Sequence, residues 1–349
     1  MKLCFRWYGE NDPVTLGEIR QIPGMKSIVT AVYATPVGEV WRREDILRAK
    51  ALCLENGMTM EVIESVPVHE DIKLGLPTRE KYADAYAENI RRLGEAGVKC
   101  ICYNFMPVFD WLRTDLHECC SDGSNALAYH AETLSRLDPR KVSLPGWDES
   151  YTPEELGGLL ERYRGMTRER LFENLVWFLD RIMPACDEVG IDMAVHPDDP
   201  PWNVFGLPRT LSTEDDFDRL FRAVPNPHNG MTYCIGSLGA GRGNDLIHMA
   251  EKYAAAGRIP FAHLRNIRYT GDTDFSESGH LSSEGSLDMA GIVRALVAGG
   301  FDGYVRPDHG RNIWGEDGKP GYGLYDRALG ATYLNGLFEM AEYAKEGKQ

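Results

Sequence analysis

Eight short runs of β-branched and other apolar residues recur along the chain, and each has the length of a buried β-strand. They cover residues 2–7, 27–32, 59–64, 99–105, 192–196, 231–235, 260–264 and 304–306. Longer stretches with apolar residues every three to four positions separate most of these runs. Strands that alternate with helices in this way predict a closed α/β fold, the (β/α)8 TIM barrel.

The helical stretches have clear ends. Helices are predicted over residues 43–56, 79–97, 168–189, 213–223, 246–257 and 288–299, and a last helix over 324–348 is expected to pack the barrel closed. Several end on a glycine just before the next strand, as at Gly57 and Gly97, where left-handed backbone caps a helix. Because no linker or internal repeat interrupts the pattern, residues 1–349 are predicted to form a single barrel domain.

The regular spacing is broken once, after the fourth strand. Residues 106–167 hold more sequence than one barrel loop needs, and they are rich in Asp, Ser, Pro and Gly. A segment that follows the carboxyl end of a strand lies on the face where barrels bind their ligands. We expect this insertion to cover the catalytic face, as a lid or as a subunit contact.

The excess of acidic over basic residues limits the classes of partner that the protein is expected to bind. The 349 residues include 53 Asp and Glu against 38 Lys and Arg, a formal net charge of −15. Nucleic acids and anionic membranes need a broad basic surface, so neither is a predicted partner. Arginines at positions 6, 113, 265, 306 and 311 lie near strand ends and can still make one pocket positive.

The cell compartment follows from two further observations. The N-terminus has no secretory signal, and no run approaches the roughly 20 apolar residues of a membrane span. The eight cysteines form no regular disulfide framework. We therefore expect a cytoplasmic protein with reduced thiols.

Four side chains of metal-binding types stand at the ends of consecutive predicted strands. They are His196, Cys234, His263 and Asp308. One such histidine is more often structural than a ligand, but four equivalent positions in successive strand–helix units predict convergence on one point. Nitrogen, sulfur and oxygen donors together favour Mn, Fe, Co or Zn over Ca or Mg. Four protein ligands leave positions open for substrate oxygens, which predicts a catalytic metal site.

The glycine-rich stretch 236–243 follows Cys234 and resembles a phosphate-binding loop only superficially. It lacks the Lys-Ser/Thr pair of a P-loop, and it does not follow a first strand as a dinucleotide fingerprint does. We expect its glycines to let the chain turn tightly beside Cys234.

Five strings along the chain resemble the D-mannonate dehydratase family. They are RWYG at 6–9, YNFMPVFDWLRTD at 103–115, HPDDPP at 196–201, HLRN at 263–266 and RPDHGR at 306–311. The likeness spans nearly the whole chain. It implies a xylose-isomerase-like TIM barrel that uses Mn²⁺, or Fe²⁺ or Co²⁺ as a substitute. It also implies conversion of D-mannonate to 2-keto-3-deoxy-D-gluconate in hexuronate (glucuronate) catabolism, and a homodimer.

The resemblance also assigns roles to residues. The family's metal ligands correspond to His196, Cys234, His263 and Asp308, its catalytic histidine to His309 and its catalytic tyrosine to Tyr322. Dehydration of an aldonic acid removes the C2 proton and expels the C3 hydroxyl, so it needs a base and an acid. Which part His309 and Tyr322 each play stays open.

The substrate needs further partners. The predicted substrate contacts are Arg6, Trp7, Asn104, Arg113, Arg265, His280 and Arg311. The arginines at 6, 113 and 311 are candidates to bind the carboxylate with a guanidinium fork. Asn104 and His280 are expected to hydrogen-bond substrate hydroxyls. The alternatives are that Asn104 is a turn residue at a strand end and that His280 lies in a surface loop.

Three other functions stay open. A metal-dependent sugar isomerase or epimerase shares the barrel and the proton transfer, and it differs in its product. An abasic-site nuclease with three zinc ions needs more ligands and a basic groove, which the charge of −15 disfavours. A sugar-acid binding protein without turnover would have no use for His309 and Tyr322.

Overall fold

Eight parallel strands close into a barrel, as predicted. The computed structural model describes residues 1–139, 152–316, 318–345 and 347. The barrel strands are β1 (Lys2–Arg6), β2 (Ser27–Thr30), β3 (Thr59–Glu64), β4 (Cys100–Tyr103), β7 (Asp192–Val195), β8 (Asn229–Cys234), β9 (Phe261–His263) and β12 (Tyr304–Arg306). Their order around the barrel is β1, β12, β9, β8, β7, β4, β3 and β2, with β2 pairing β1 again. All eight predicted strands are confirmed.

Helices surround the barrel. They are α1 (Leu16–Ile19), α2 (Arg43–Glu55), α3 (Glu70–Leu74), α4 (Arg79–Glu95), α5 (Ala131–Arg136), α6 (Pro153–Arg162), α7 (Arg168–Val189), α8 (Glu214–Ala223), α9 (Ile235–Ala240), α10 (Leu246–Ala255), α11 (Met289–Ala298) and α12 (Tyr325–Lys345). The seven predicted helices are confirmed. Gly57 and Gly97 adopt left-handed backbone after α2 and α4, with φ of 75° and 90°, which agrees with their predicted role in ending helices.

The prediction of a tight turn after Cys234 is wrong, because residues 235–240 form the buried helix α9. Its glycines serve close packing instead. A β-carbon at Gly236 would lie 2.4 Å from Nε of Arg265, and one at Gly239 would lie 2.9 Å from a methyl group of Leu287. Small residues are therefore needed here because neighbouring side chains approach the helix backbone.

The insertion carries structure that the sequence pattern did not predict. Strands β5 (Asp115–Cys119) and β6 (Asn125–Tyr129) form a hairpin. The hairpin joins β10 (Ile267–Tyr269) and β11 (Phe275–Glu277), which follow β9, in a four-stranded antiparallel sheet of order β10, β11, β6, β5. The insertion therefore pairs with the segment after the seventh barrel strand. Its residues 140–151 lie outside the described part of the chain.

Membrane-spanning helices were not predicted. Among the residues that the structure describes, every helix is too short or too polar to cross a membrane.

Candidate active site

The site lies one layer above a plug that fills the barrel interior. The plug is a buried cluster of Cys4, Val29, Val62, Cys100, Cys102, Ala194, Phe261 and Tyr304. Side chains two positions apart on a strand point to the same side. Residues two positions after a plug member therefore also face the barrel axis, and they lie at the carboxyl ends of the strands. This rule brings Glu64, His196, His263 and Arg306 into one layer.

Three of the four predicted metal ligands converge. One nitrogen each from His196 and His263 and the Sγ of Cys234 lie within 4.8 Å of one another. The Nδ1 atom of His196 lies 2.7 Å from the carbonyl oxygen of Pro197, and donation of its proton there leaves Nε2 free to bind an ion.

Asp308 brings oxygen donors to the same place. Its Oδ2 lies 3.6 Å from Sγ of Cys234, and its Oδ1 lies 3.8 Å from Nδ1 of His263. Ligand atoms that share a transition ion at about 2.0–2.3 Å stand at comparable distances from one another. The four side chains therefore fit a divalent transition ion in both donor chemistry and spacing.

The electrostatics favour the metal-binding form of the cysteine. Burial raises the pKa of the Cys234 thiol, but Arg265 and His196 lower it by more, and the net pKa lies well below its ordinary value. For His196, burial lowers the pKa, and the Cys234 thiolate raises it by more, to about 9. A thiolate beside an imidazolium is ready to exchange the imidazolium proton for a metal cation.

His309 and Tyr322, the predicted catalytic pair, are hydrogen-bonded. Nε2 of His309 lies 2.8 Å from the hydroxyl of Tyr322, and both residues are buried. Tyr8 hydrogen-bonds in turn to Tyr322, with the two rings edge to face at 5.0 Å. The indole of Trp111 lies beside His309, with 5.1 Å between ring centroids. A proton can pass between two groups in such a chain without a large movement.

A buried network of opposite charges lies behind this pair. Arg113 binds Asp199 with two hydrogen bonds of 2.7 and 3.0 Å, and it binds Glu277 with one of 2.9 Å. Arg265 contacts the same two carboxylates and also Asp308. Such a network holds its members in fixed positions, because separating one partner would leave a buried charge without compensation.

A small cavity opens beside the His309–Tyr322 pair. Its lining includes Glu64, Asn104, Trp111, Arg306, His309 and Tyr322, as well as the ligands His196 and Asp308. The amide of Asn104 donates a 3.0 Å hydrogen bond to Asp110, which also lines the cavity. Trp111 and Asp110 belong to the insertion, so this segment does contribute to the site.

Asn104 is the one predicted substrate contact that lines this cavity. The other six, Arg6, Trp7, Arg113, Arg265, His280 and Arg311, lie outside its lining. The Arg6 guanidinium lies over the ring of Tyr8 at 4.5 Å, and Trp7 packs in the hydrophobic core. His280 is buried against Gly330 of α12, and Arg311 binds Asp326 and Asp122.

The sequence did not single out Glu64, Trp111, Asp199 or Glu277 as site residues, and Arg306 was noted only as one of the arginines that can make a pocket positive. A signal for two of them was present, because Glu64 and Arg306 are charged residues that end apolar strand runs. Trp111 and Asp199 stand inside the strings that carry the family resemblance. For Glu277, which ends a strand of only three residues, the string SESGH drew attention to His280 instead.

Comparisons with known proteins identify the family of this chain. The sequence model of the D-mannonate dehydratase (UxuA) family matches residues 1–348. Mannonate dehydratase 2 of Halalkalibacterium halodurans is 52% identical over 341 residues, which cover 97% of this chain and 99% of that protein.

Solved structures extend the agreement to the fold. The crystal structure of mannonate dehydratase from Streptococcus suis serotype 2 superposes with a TM-score of 0.93 at 47% identity, covering 99% of this chain and 96% of that one. A xylose isomerase domain protein from Planctomyces limnophilus shares the barrel alone, with a TM-score of 0.56 at 13% identity over 97% of each chain. The sequence resemblance is thereby confirmed, and the chain belongs to the D-mannonate dehydratase family.

Proposed function

We propose that this chain is a metal-dependent mannonate dehydratase. It eliminates water from D-mannonate to give 2-keto-3-deoxy-D-gluconate, a step of hexuronate (glucuronate) catabolism. The observation that carries the proposal is the joint placement of four metal donors and a hydrogen-bonded His309–Tyr322 pair at one barrel mouth. The identity of the proposed substrate, D-mannonate, comes from membership of the family.

Four side chains would hold the metal: His196, Cys234, His263 and Asp308. Mn²⁺ is the proposed ion, with Fe²⁺ or Co²⁺ as substitutes, because the mixed nitrogen, sulfur and oxygen donors suit these ions. When bound, a divalent ion would stabilise the negative charge that develops on the substrate carboxylate as the C2 proton leaves. Arg265 keeps the Cys234 sulfur in its thiolate form for this purpose.

Arg306 is the arginine that we propose to bind the substrate carboxylate. Its Nη2 binds Asp308 at 2.7 Å and Glu64 at 2.9 Å. Its Nη1 is buried and lacks a hydrogen-bond partner among the described residues, and the side chain lines the cavity. A fixed guanidinium with an available donor is suited to bind a carboxylate. Arg113 and Arg311, in contrast, have both terminal guanidinium nitrogens bound to protein carboxylates.

His309 and Tyr322 are the proposed acid/base pair. One takes the C2 proton, and the other protonates the C3 hydroxyl as it departs, after which the enol tautomerises to the ketone. Both groups line the cavity and share a 2.8 Å hydrogen bond. Their contact allows the proton taken in the first event to be delivered in the second. Asn104, on the cavity wall, is a proposed partner for a substrate hydroxyl.

Other parts of the account stay predictions. The insertion is proposed as a lid or subunit contact, and the protein as a cytoplasmic homodimer. The exposed rings of Trp314 and Tyr325, 5.7 Å apart, and the neighbouring exposed Leu329 offer an apolar surface for a second copy. Light scattering during size-exclusion chromatography would give the molecular mass of the protein in solution and so distinguish a monomer from a dimer.

Product identity tests the proposed function. The Mn²⁺-loaded protein is incubated with D-mannonate in D2O, and the product is analysed by mass spectrometry and NMR. We expect a 2-keto-3-deoxy acid with one deuterium at C3, because the enol takes its new proton from solvent. An isomer that has kept all its oxygens would contradict dehydration and indicate a sugar isomerase or epimerase.

A further inference from the structure

Glu277 reaches the active site from outside the barrel. It ends β11, which pairs with β6 of the insertion through Phe275–Tyr129 and Ser276–Ala128. The side chain is completely buried, and its Oε1 lies 3.2 Å from Nδ1 of His309. The second sheet thus places a carboxylate at the Nδ1 edge of the His309 ring, whereas Tyr322 contacts Nε2.

Two arginines keep this carboxylate ionised. Arg113 donates to Oε1 at 2.9 Å, and Arg265 makes a shorter contact with the same oxygen. Burial raises the pKa of Glu277, but the positive charges of Arg265 and Arg113 lower it, and the net pKa lies below its ordinary value. An ionised carboxylate can only accept hydrogen bonds. The proton in the contact between Glu277 and His309 therefore sits on Nδ1 of the imidazole.

A competing contact would demand the opposite tautomer. Nη1 of Arg265 lies 3.4 Å from Nδ1 of His309, and a guanidinium can only donate. That contact is longer than the one between Nδ1 and Glu277, and Nη1 already donates to Glu277 at closer range. A hydrogen bond with an ionised acceptor is also the stronger of the two. The geometry thus favours the Nδ1–H tautomer.

We propose that Glu277 is a positioning residue that holds His309 in the tautomer with its proton on Nδ1. The lone pair of Nε2 then faces the hydroxyl of Tyr322, 2.8 Å away, and the cavity. The carboxylate also stabilises the imidazolium that forms whenever Nε2 accepts a proton. This inference deepens the proposed function and rests on it, because it explains how His309 is prepared for its part in the acid/base pair.

The substitution Glu277→Gln tests the role with little change in shape. The neutral amide oxygen accepts from Nδ1–H more weakly than a carboxylate does, so the competing donation from Arg265 to Nδ1 gains weight and favours the tautomer with its proton on Nε2. We expect kcat for D-mannonate to fall by about 10²- to 10⁴-fold, as for loss of an orienting carboxylate in other enzymes. KM should stay within about threefold, since the cavity keeps its lining. Glu277→Asp keeps an acceptor and should retain the tautomer and part of kcat.

The tautomer itself is read by NMR. Protein labelled with ¹⁵N-histidine and loaded with Zn²⁺, a diamagnetic ion, contains nine histidines, and comparison with His309→Asn assigns the His309 signals. We expect Nδ1–H in the unmodified protein and in Glu277→Asp, and Nε2–H in Glu277→Gln. Asp199→Asn is the matched control, because Asp199 binds the same two arginines without contacting His309. That variant should keep Nδ1–H.

The outcomes separate the two claims. Nε2–H at His309 in the unmodified protein, or an unchanged kcat in Glu277→Gln, would overturn the role of Glu277. An equal tautomer change in Asp199→Asn would also overturn it, since the effect would then be one of charge alone. If Glu277→Gln does not fold, the tautomer of His309 in the unmodified protein and in Glu277→Asp still tests the role of Glu277. Absence of dehydratase activity in the unmodified protein would instead contradict the proposed function, and the spectra would remain interpretable.

Discussion

Arg265 lies against the backbone of Gly236, where a β-carbon would come within 2.4 Å of its Nε atom. This close approach lets the guanidinium reach Asp199 at 2.7 Å and Asp308 at 2.8 Å while it stays near the Cys234 sulfur. One glycine in α9 thus makes room for the charge that stabilises the thiolate of Cys234, a proposed metal ligand.

The substitution Gly236→Ala should displace that guanidinium. We expect the free energy of unfolding to fall by about 1–3 kcal/mol, as for overpacking of a buried site. Mn²⁺ affinity should fall about tenfold, as for loss of an outer-shell partner. Urea unfolding and calorimetric titration measure the two effects. Gly158→Ala is the control, because a β-carbon there meets open space on α6; equal behaviour of both variants would contradict the role of Gly236.

Cys234 should be indispensable for metal binding. Cys234→Ser replaces a thiolate with a hydroxyl that keeps its proton, so we expect Mn²⁺ affinity to fall by at least about 100-fold. Metal content after dialysis and titration with Mn²⁺ check this. Cys119→Ser, at an exposed position of the β5–β6 hairpin, should bind metal normally. Full metal content in Cys234→Ser would remove this residue from the ligand set.

His309 and Tyr322 should affect turnover without affecting the metal. We expect His309→Asn and Tyr322→Phe each to lower kcat by about 10²- to 10⁴-fold, the usual contribution of general acid–base catalysis. The measurement pairs steady-state kinetics with metal analysis of the same samples. Tyr343→Phe, on the exposed side of α12, serves as the control. Near-normal turnover in either site variant would exclude that residue from the mechanism.

The barrel strands and the convergence of the candidate metal ligands could be predicted because their signals are local. Apolar runs of strand length identified the eight barrel strands. The residue that follows such a run lies at the carboxyl end, so His196 and its three partners needed no knowledge of long-range contacts.

The rest of the site depends on contacts between distant segments. Strand β5 has alternating exposure but few apolar residues, and β10 and β11 have three residues each, so periodicity was too weak to predict the second sheet. Without that sheet, nothing in the sequence connects Glu277 with His309. The arginines posed a similar problem. The sequence places Arg113 and Arg306 near the site, but only the structure shows that both terminal nitrogens of Arg113 bind protein carboxylates, whereas Nη1 of Arg306 has no partner among the described residues.

Stability in acid should depend on the buried carboxylates behind the site. Burial raises the pKa of Asp199, but Arg113 and Arg265 lower it by more, and the net pKa lies well below its ordinary value. A depressed pKa in the folded state stabilises the protein fully above about pH 4, the ordinary value for Asp, and this contribution is lost as pH falls below it.

The substitution Asp199→Asn isolates this contribution. At pH 7 we expect the free energy of unfolding to fall by about 3 kcal/mol, the scale for breaking a buried ion pair. The difference from the unmodified protein should shrink as pH falls from 5 toward 2. Urea unfolding at several pH values measures it, and a difference that stays constant over this range would contradict the linkage.

Titration of the metal-stripped protein with Mn²⁺ tests whether dehydration of D-mannonate depends on an ion bound at this site. Bound metal and 2-keto-3-deoxy acid formation are measured on the same samples. We expect negligible product without metal, and activity that rises in proportion to bound Mn²⁺ and saturates at one ion per chain. Product formation without metal, or full occupancy of the site without product from D-mannonate, would contradict this expectation.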